Sequence, residues 1–354
     1  MSTICKLVCD RKQTLGICPT GSARSPYEQR QCYNNPMDRR EFFFAAAGTA
    51  GLSAAREAAP IPIIDTHIHL FDPTRPQGVP WPERSDAILY KPALPERYRR
   101  VTKGLGIVGA IEVEASPWFE DNQWVLDVAA KDTIIVGTVG DLEPGKPDFR
   151  KNLERFQRNP LFRGIRYGNL WNRNLGGPLS QPEFISDLEA LADANLALDS
   201  ANPDPALIEA LVRLVDRVPS LRVVVDHLPQ LDPPTEKLAR DAYEVNLREL
   251  GKRPQVYVKV SEVLRRVDGR VPIDLDFYKS RLDEIWEIFG RDRLLYGSDW
   301  PNSDKWGTYS QVLSIVRAYF TSKGRAAAEK FFWRNSVRAY RWVRRDPGQP
   351  SSSS

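Results

Sequence analysis

The stretch IPIIDTHIHL at residues 61–70 decides how the rest of the chain is interpreted. Its β-branched residues favour an extended conformation, and we predict a strand over 61–67. Side chains two residues apart on a strand project from the same face, so His67 and His69 are expected to point the same way at its end. The strand therefore presents two imidazoles at its carboxyl end, which is where parallel barrels carry their functional groups.

Seven further β-rich runs follow, separated by longer amphipathic segments of helical period. They predict strands at 107–113, 133–139, 162–167, 196–200, 222–227, 255–261 and 293–298. Strands that alternate with helices predict an α/β fold, and eight of them predict a single-domain (β/α)₈ TIM barrel over residues 61–345. The alternative, a doubly wound open sheet, lacks its usual glycine-rich loop after the first strand.

Several helix boundaries can be predicted from local signals. Ser180 and Glu183 have the spacing of a capping box, with Pro182 in the first turn of a helix that runs to Ala194. Asp204 followed by Pro205 predicts a second cap. Apolar periodicity predicts helices over 277–289 and 309–320, a closing helix over 326–343, and a disordered tail over 346–354.

Composition and charge exclude some classes of function. The net charge is +4, and residues 1–36 alone carry five basic and two acidic side chains, so the body is nearly neutral. A nearly neutral body gives no reason to expect nucleic acid as a partner. From Ile61 onward no run is apolar for the ~20 residues that a membrane helix needs.

The amino-terminal region predicts export. Residues 37–60 contain Met37, Arg39 and Arg40, then a short apolar run of small residues, which is typical of a twin-arginine signal. We expect a periplasmic or extracellular protein, or a cytoplasmic one if the segment is not a signal. Residues 1–36 hold all the cysteines at irregular spacing, and we interpret them as an upstream segment outside the folded protein rather than as a zinc knuckle.

The chain has three histidines, and all three fall at predicted strand ends. His67 and His69 end the first strand, His227 ends the sixth, and Asp299 follows the eighth. A single histidine is usually a packing or surface residue. Three of three at the rim where barrels carry out catalysis predict an active site.

These motifs resemble the amidohydrolase superfamily, in the amidohydrolase-2 branch that includes sugar-lactone and pyrone-dicarboxylate lactonases. The resemblance covers about residues 61–343 and is carried by IIDTHIHLFD (63–72), FRGIR (162–166), VDHL (225–228), VYVKVS (256–261) and LYGSDWP (295–301). It implies a hydrolase that opens a small lactone, with His67, His69, His227 and Asp299 as the catalytic group.

The resemblance leaves the metal content open. Binuclear members add ligands after the fourth and fifth strands, where this chain has Arg166 and Asp199 instead. His67, His69 and Asp299, with His227 nearby, are suitable ligands for one divalent ion such as zinc or manganese, and water would complete the coordination. A metal-free site is equally compatible, since the branch has members that work without metal.

The expected chemistry is attack of water on a carbonyl. Asp299 is the candidate general base, and the histidines would stabilise the oxyanion directly or through a metal. Two alternatives stay open. One is a metal-dependent decarboxylase of a small aromatic or unsaturated acid, and the other is a barrel that binds a ligand without catalysis.

Further side chains at strand ends and in loops are candidates for substrate binding. Arg166, Lys259 and Glu114 would grip substrate, or else form internal ion pairs, with Asp65, Asp226 or Glu114 as the expected partners of the two cations. Five tryptophans fall in the loops after strands, and their flat faces suit a ring. The candidates for contact with substrate are Arg166, Lys259, Glu114, Trp81, Trp300, Tyr167 and Asn169. The substrate is expected to be a small lactone or carboxylic acid, and nothing predicts the oligomeric state.

Overall fold

The structure is a computed structural model that describes residues 59–351. The upstream segment and nearly all of the export signal therefore lie outside the described residues, and both stay predictions. Within the described part of the chain, no helix has the length and apolar character required to cross a membrane.

Eight parallel strands form one sheet in the order of the chain, and each pairs with the next. The sheet returns on itself, because the amide of Asp299 donates to the carbonyl of His67 at 2.9 Å and the amide of His69 donates to that of Trp300 at 2.8 Å. The predicted TIM barrel is confirmed. The strands are β1 (Ile63–Ile68), β2 (Ile107–Val113), β3 (Ile135–Gly140), β4 (Phe162–Arg166), β5 (Ala197–Ser200), β6 (Arg222–Val225), β7 (Val256–Val260) and β8 (Leu294–Tyr296).

Helices follow the strands and cover the outside of the barrel. They are α1 (Pro95–Thr102), α2 (Phe119–Ala130), α3 (Phe149–Gln157), α4 (Pro182–Asp193), α5 (Pro205–Arg217), α6 (Lys237–Gly251), α7 (Leu275–Phe289), α8 (Tyr309–Ser322), α9 (Arg325–Glu329) and α10 (Asn335–Tyr340). The main apolar core lies between the strands and these helices, and a smaller one fills the barrel around Ile64, Val224 and Leu295.

The predicted caps have different outcomes. Asp204 caps α5 as expected, and its carboxylate accepts from the amide of Leu207 at 2.7 Å. The capping box at Ser180 is wrong, because the residue that precedes α4 is Gln181. Pro182 occupies the first turn of the helix, and the Ser180 hydroxyl instead donates to the carbonyl of Gly177 in a short 3₁₀ turn.

The closing helix is not continuous. A π-helical segment over Lys330–Arg334 separates α9 from α10, and α10 ends at Tyr340 because Arg341 adopts a left-handed backbone with φ 52°. Trp333 and Tyr340 pack into the amino end of the barrel. The Tyr340 hydroxyl reaches the interior and donates to Asp199 at 2.8 Å.

Residues 346–354 were expected to be a disordered tail, but the described part, 346–351, contains an ordered and buried side chain. Gln349 is only 3% exposed. Its amide nitrogen donates to the carbonyls of Val108 and Thr133, at 3.0 and 2.8 Å, and its oxygen accepts from the amides of Arg345 and Asp346. The segment therefore has internal polar partners that its composition does not reveal.

We expect Gln349→Ala to lower the free energy of unfolding by about 1–3 kcal/mol, because four partly buried backbone groups lose their partner. Urea denaturation followed by circular dichroism measures this change. Arg344→Ala is the control, since Arg344 is exposed and its guanidinium donates to the nearby carbonyl of Pro347 at 2.8 Å. Equal stability of the two variants would contradict the structural role of Gln349.

Candidate active site

A cavity of about 320 Å³ opens at the carboxyl ends of the strands, on the side where the loops that follow the strands converge. This volume is in the range of small-molecule sites. Three tryptophans and several polar side chains form the wall. The lining residues are His69, Trp81, Ala115, Arg166, Leu170, Trp171, Asn202, His227, Glu262, Asn302, Lys305 and Trp306.

His69 is oriented by the neighbouring strand. Its Nδ1 lies 2.8 Å from the carbonyl oxygen of Val113, which only accepts, so Nδ1 carries a proton and donates. Its Nε2 then faces Asp299 Oδ1 at 3.1 Å. In a neutral imidazole this places a lone pair opposite a carboxylate oxygen, and the contact is favourable only with a proton or a cation between the two atoms.

His67 lies deeper and is fully buried. Burial lowers the pKa of this imidazole well below its usual value, and the nearby Lys259 ammonium acts in the same direction. His67 Nε2 has no hydrogen-bond partner among residues 59–351 and lies 3.6 Å from Asp299 Oδ1. His67 Nδ1 lies 3.1 Å from the Lys259 ammonium, which only donates, and 3.5 Å from Asp226 Oδ1. Nε2 offers a lone pair to the same point as His69 only in the tautomer with its proton on Nδ1, directed at Asp226.

His227 places a third imidazole next to those of His67 and His69. It is the second residue after β6 and has a left-handed backbone with φ 53°. Its ring centroid is 4.4 Å from that of His67, and its Nδ1 lies 2.8 Å from the hydroxyl of Ser261. Burial lowers the pKa of His227 to about 4, so the ring is neutral at pH 7.

Asp299 follows β8, and its carboxylate is completely buried between the imidazoles. Oδ1 contacts both paired histidines, and it accepts a long hydrogen bond from the side-chain amide of Asn302 at 3.4 Å. Oδ2 has no partner in the described part of the chain. A buried carboxylate oxygen without a donor is costly, and such an atom indicates a missing proton, water or cation.

Glu262 was not among the residues predicted from sequence. It is the second residue after β7, has φ 49°, and lines the cavity. Ligand-type atoms of Glu262, His227 and Asp299 lie within 4.8 Å of one another. Burial raises the pKa of the Glu262 carboxyl to about 7, with the Asp299 charge acting in the same direction and the neighbouring His227 against it.

A signal for Glu262 was present in the sequence. VVVDH at 223–227 and VKVSE at 258–262 each end in a polar residue two positions beyond an apolar strand. The same offset that placed His227 at the rim places Glu262 there as well.

Two buried cations form a network beneath the cavity. Lys259 Nζ lies 2.6 Å from Asp199, 3.0 Å from Asp226 and 3.1 Å from His67 Nδ1. Arg166 Nε donates to Asp226 at 3.0 Å. Lys259 therefore forms an internal ion pair and is absent from the cavity lining, whereas Arg166 belongs to the network and also reaches the cavity.

The comparisons with known proteins agree with this geometry. The family model described as amidohydrolase, Amidohydro_2, matches residues 64–342, which include all eight strands except the first residue of β1. The chain belongs to the amidohydrolase family. The resemblance inferred from the motifs is therefore confirmed.

Among the relatives of this amidohydrolase are two L-fucono-1,5-lactonases. The enzyme from Burkholderia ambifaria is 30% identical over 245 residues, which are 68% of this chain and 80% of that protein. The enzyme from Burkholderia multivorans is 25% identical over 284 residues, which are 76% of this chain and 92% of that protein.

A solved amidohydrolase from Burkholderia multivorans, crystallised with zinc bound, shares the fold. It is 21% identical, and the match covers 80% of this chain and all of that protein with a TM-score of 0.70. At this identity the likeness shows the fold alone.

The residues of this amidohydrolase fit one divalent ion. His67, His69 and Asp299 each offer a ligand atom, and these atoms lie within 4.8 Å of one another. The orphaned His67 Nε2 and the lone-pair contact of His69 with Asp299 are both relieved by a cation at that point. His227 with Asp226 or Glu262 forms overlapping groups. Asp199 stands where binuclear members have a metal ligand, but here its carboxylate accepts a hydrogen bond from Lys259.

Two aromatic side chains expected to contact substrate are placed elsewhere in the amidohydrolase barrel. Trp300 is fully buried, with its ring 5.3 Å from that of Tyr98. Tyr167 packs against Phe184 of α4 at 5.4 Å. Neither residue lines the cavity, for one reason: each directly follows a side chain that points into the barrel, so its own side chain points outward.

The other candidates for substrate contact differ in whether they line the cavity. Asn169 does not line the cavity, and its amide group donates to the carbonyl of Asn202 at 3.1 Å, so it supports a loop that does. Trp81 lines the cavity beside His69, with ring centroids 5.9 Å apart. Glu114 accepts from the Trp171 indole at 3.1 Å and lies 3.8 Å from Arg166. Glu114 thereby holds the side chains of Trp171 and Arg166 in the cavity wall.

Proposed function

We propose that this amidohydrolase hydrolyses a small lactone, with Asp299 as the general base. The observation that carries the proposal is the unpartnered Oδ2 of Asp299, a buried carboxylate oxygen among three imidazoles, two of which line the cavity. The two curated relatives are lactonases, which supports the same class of substrate.

The residues can carry the reaction in balanced steps. Asp299 takes a proton from a water molecule, and the water oxygen forms a bond to the lactone carbonyl carbon. Arg166, one nitrogen of which lies 3.5 Å from His227 Nε2 and can only donate, presents its remaining N–H groups to the negative oxygen that develops. The ring carbon–oxygen bond then breaks, and the proton on Asp299 passes to the leaving alkoxide. The product is a hydroxy acid.

The metal is part of this proposal, as one divalent ion, zinc or manganese, held by His67, His69 and Asp299. When bound, such an ion polarises a carbonyl and makes water more acidic. His69 is held for this role by Val113, and His67 by the Asp226 and Lys259 network.

We expect the purified protein to contain about one equivalent of divalent metal. His69→Ala should weaken metal affinity at least about tenfold, because it removes a direct ligand. Elemental analysis after dialysis against a chelator measures this without an activity assay. Lys305→Met, at the cavity rim, is the control for general damage to the site. Equal metal content in both variants would contradict the ligand assignment.

The alternatives receive less support. A decarboxylase of an aromatic acid needs a cation for the substrate carboxylate, and Arg166 is already paired with Asp226 and Glu114. A barrel that binds without catalysis does not account for a buried carboxylate base beside neutral imidazoles. Neither alternative gains a specific observation from the structure.

Hydrolysis of a panel of lactones tests the proposal directly. The panel contains L-fucono-1,5-lactone, other aldonolactones, unsubstituted δ-valerolactone and 2-pyrone-4,6-dicarboxylate, and acid release is titrated at constant pH. We expect turnover of at least one sugar lactone above the spontaneous rate. Carbon dioxide release from aromatic acids, with no lactone opened, would assign the decarboxylase instead.

A further inference from the structure

Glu262 is a cavity group that the proposed reaction does not use. Its left-handed backbone turns the carboxylate over the mouth of the barrel instead of along the strand direction. It is half-buried, so substrate in the cavity can touch it. Its position close to Asp299 places it beside the reacting carbonyl and not at the distant rim.

The cations that line the same cavity are already neutralised by other partners. Arg166 is paired with Asp226 and Glu114, and Lys305 lies 2.8 Å from Asp86. Within residues 59–351, Glu262 forms no ion pair with lysine or arginine. Its carboxyl group contacts Asp299 but is not neutralised by lysine or arginine, so it can also accept a hydrogen bond from a ligand in the cavity.

The substrate supplies such a donor most simply as a hydroxyl group. A carboxylate on the substrate would be repelled by Glu262 and Asp299, and a bare hydrocarbon ring would leave the acceptor unpaired at a cost. The carbonyl under attack must lie next to Asp299 Oδ2. The hydroxyl on the adjacent ring carbon is then the one within reach of Glu262, while Trp81, Trp171 and Trp306 provide flat walls for the ring.

We propose that Glu262 determines specificity by accepting a hydrogen bond from the hydroxyl on the carbon next to the lactone carbonyl. The inference rests on the proposed lactonase function and adds the substrate class, an uncharged 2-hydroxy lactone. A site that hydrogen-bonds a substrate hydroxyl rejects the analogue that lacks it, because its own polar group is left unpaired.

The test compares matched substrates in matched variants. Wild type, Glu262→Ala and Glu262→Gln are assayed with a 2-hydroxy-1,5-lactone and its 2-deoxy analogue. We expect Glu262→Ala to lower kcat/KM for the hydroxylated lactone by about 10–100-fold, because a hydrogen bond to a charged group is lost. For the 2-deoxy analogue we expect a change of less than about threefold, and an intermediate loss for Glu262→Gln.

Each other outcome overturns the proposal. Equal losses on both substrates, or a fall in bound metal measured by elemental analysis, would assign Glu262 to general catalysis or to the metal. Unchanged discrimination in Glu262→Ala would show that it does not touch the hydroxyl. Absence of turnover in wild type would contradict the lactonase function itself, which separates the two failures. Asp232→Asn, an exposed carboxylate paired with Arg265 in the adjoining loops, is the control.

Discussion

Replacing Asp299 by asparagine is expected to lower kcat for lactone hydrolysis on the order of 10³-fold while leaving the fold intact. The amide keeps the shape of the side chain and tolerates the left-handed backbone at this position, φ 58°, but it cannot take a proton from water. Substrate should still bind, because the cavity wall is unchanged. Steady-state kinetics give kcat, and isothermal titration with the lactone gives the affinity.

Asp304→Asn is the control for the Asp299 variant. Asp304 lies in the same loop, pairs with Arg97 at 2.6 Å, and does not line the cavity. We expect it to retain activity within a few-fold of wild type. Unchanged turnover in Asp299→Asn would remove the proposed base, and with it the mechanism.

Replacing Lys259 by methionine is expected to lower the free energy of unfolding by about 3–5 kcal/mol, because buried Asp199 loses its cationic partner and Asp226 keeps only Arg166. Asp199 and Asp226 are both completely buried, at 2.6 and 3.0 Å from the ammonium group. Urea denaturation of the two proteins measures the difference. His67 loses a neighbour as well, so activity should also fall.

Lys305→Met is the matched control for this substitution, since its ion pair with Asp86 is partly exposed and should contribute less than about 1 kcal/mol. If Lys259→Met does not fold, the double variant Lys259→Met with Asp199→Asn should restore part of the stability by removing one uncompensated charge. Full stability of the single variant would show that the network is not held by Lys259.

The barrel and the position of its catalytic rim could be predicted from sequence. His67, His69, His227 and Asp299 were found because apolar strands have a strong pattern and because function in this fold lies at strand ends. The structure brings all four together, with imidazole centroids 4.4 and 4.9 Å apart. Their catalytic roles remain predictions.

The direction of individual side chains was harder to predict. Trp300 and Tyr167 follow inward residues by one position, and a shift of one residue moves a side chain to the other face of a strand. The offset that Glu262 shares with His227 indicates its place at the rim, but its left-handed backbone has no local signal for glutamate. Gln349 is ordered by distant carbonyls, and contacts of that separation leave no trace in composition.

The three residues that close the rim after β6, β7 and β8 share one backbone feature. His227, Glu262 and Asp299 all have φ near +50°, a conformation in which ordinary side chains cost on the order of 1 kcal/mol or more relative to glycine. The molecule thus carries its chemistry at positions that glycine would occupy with less strain. Selection for heat resistance alone should favour glycine at these three positions. The most thermostable variants would then be those that had lost the reaction.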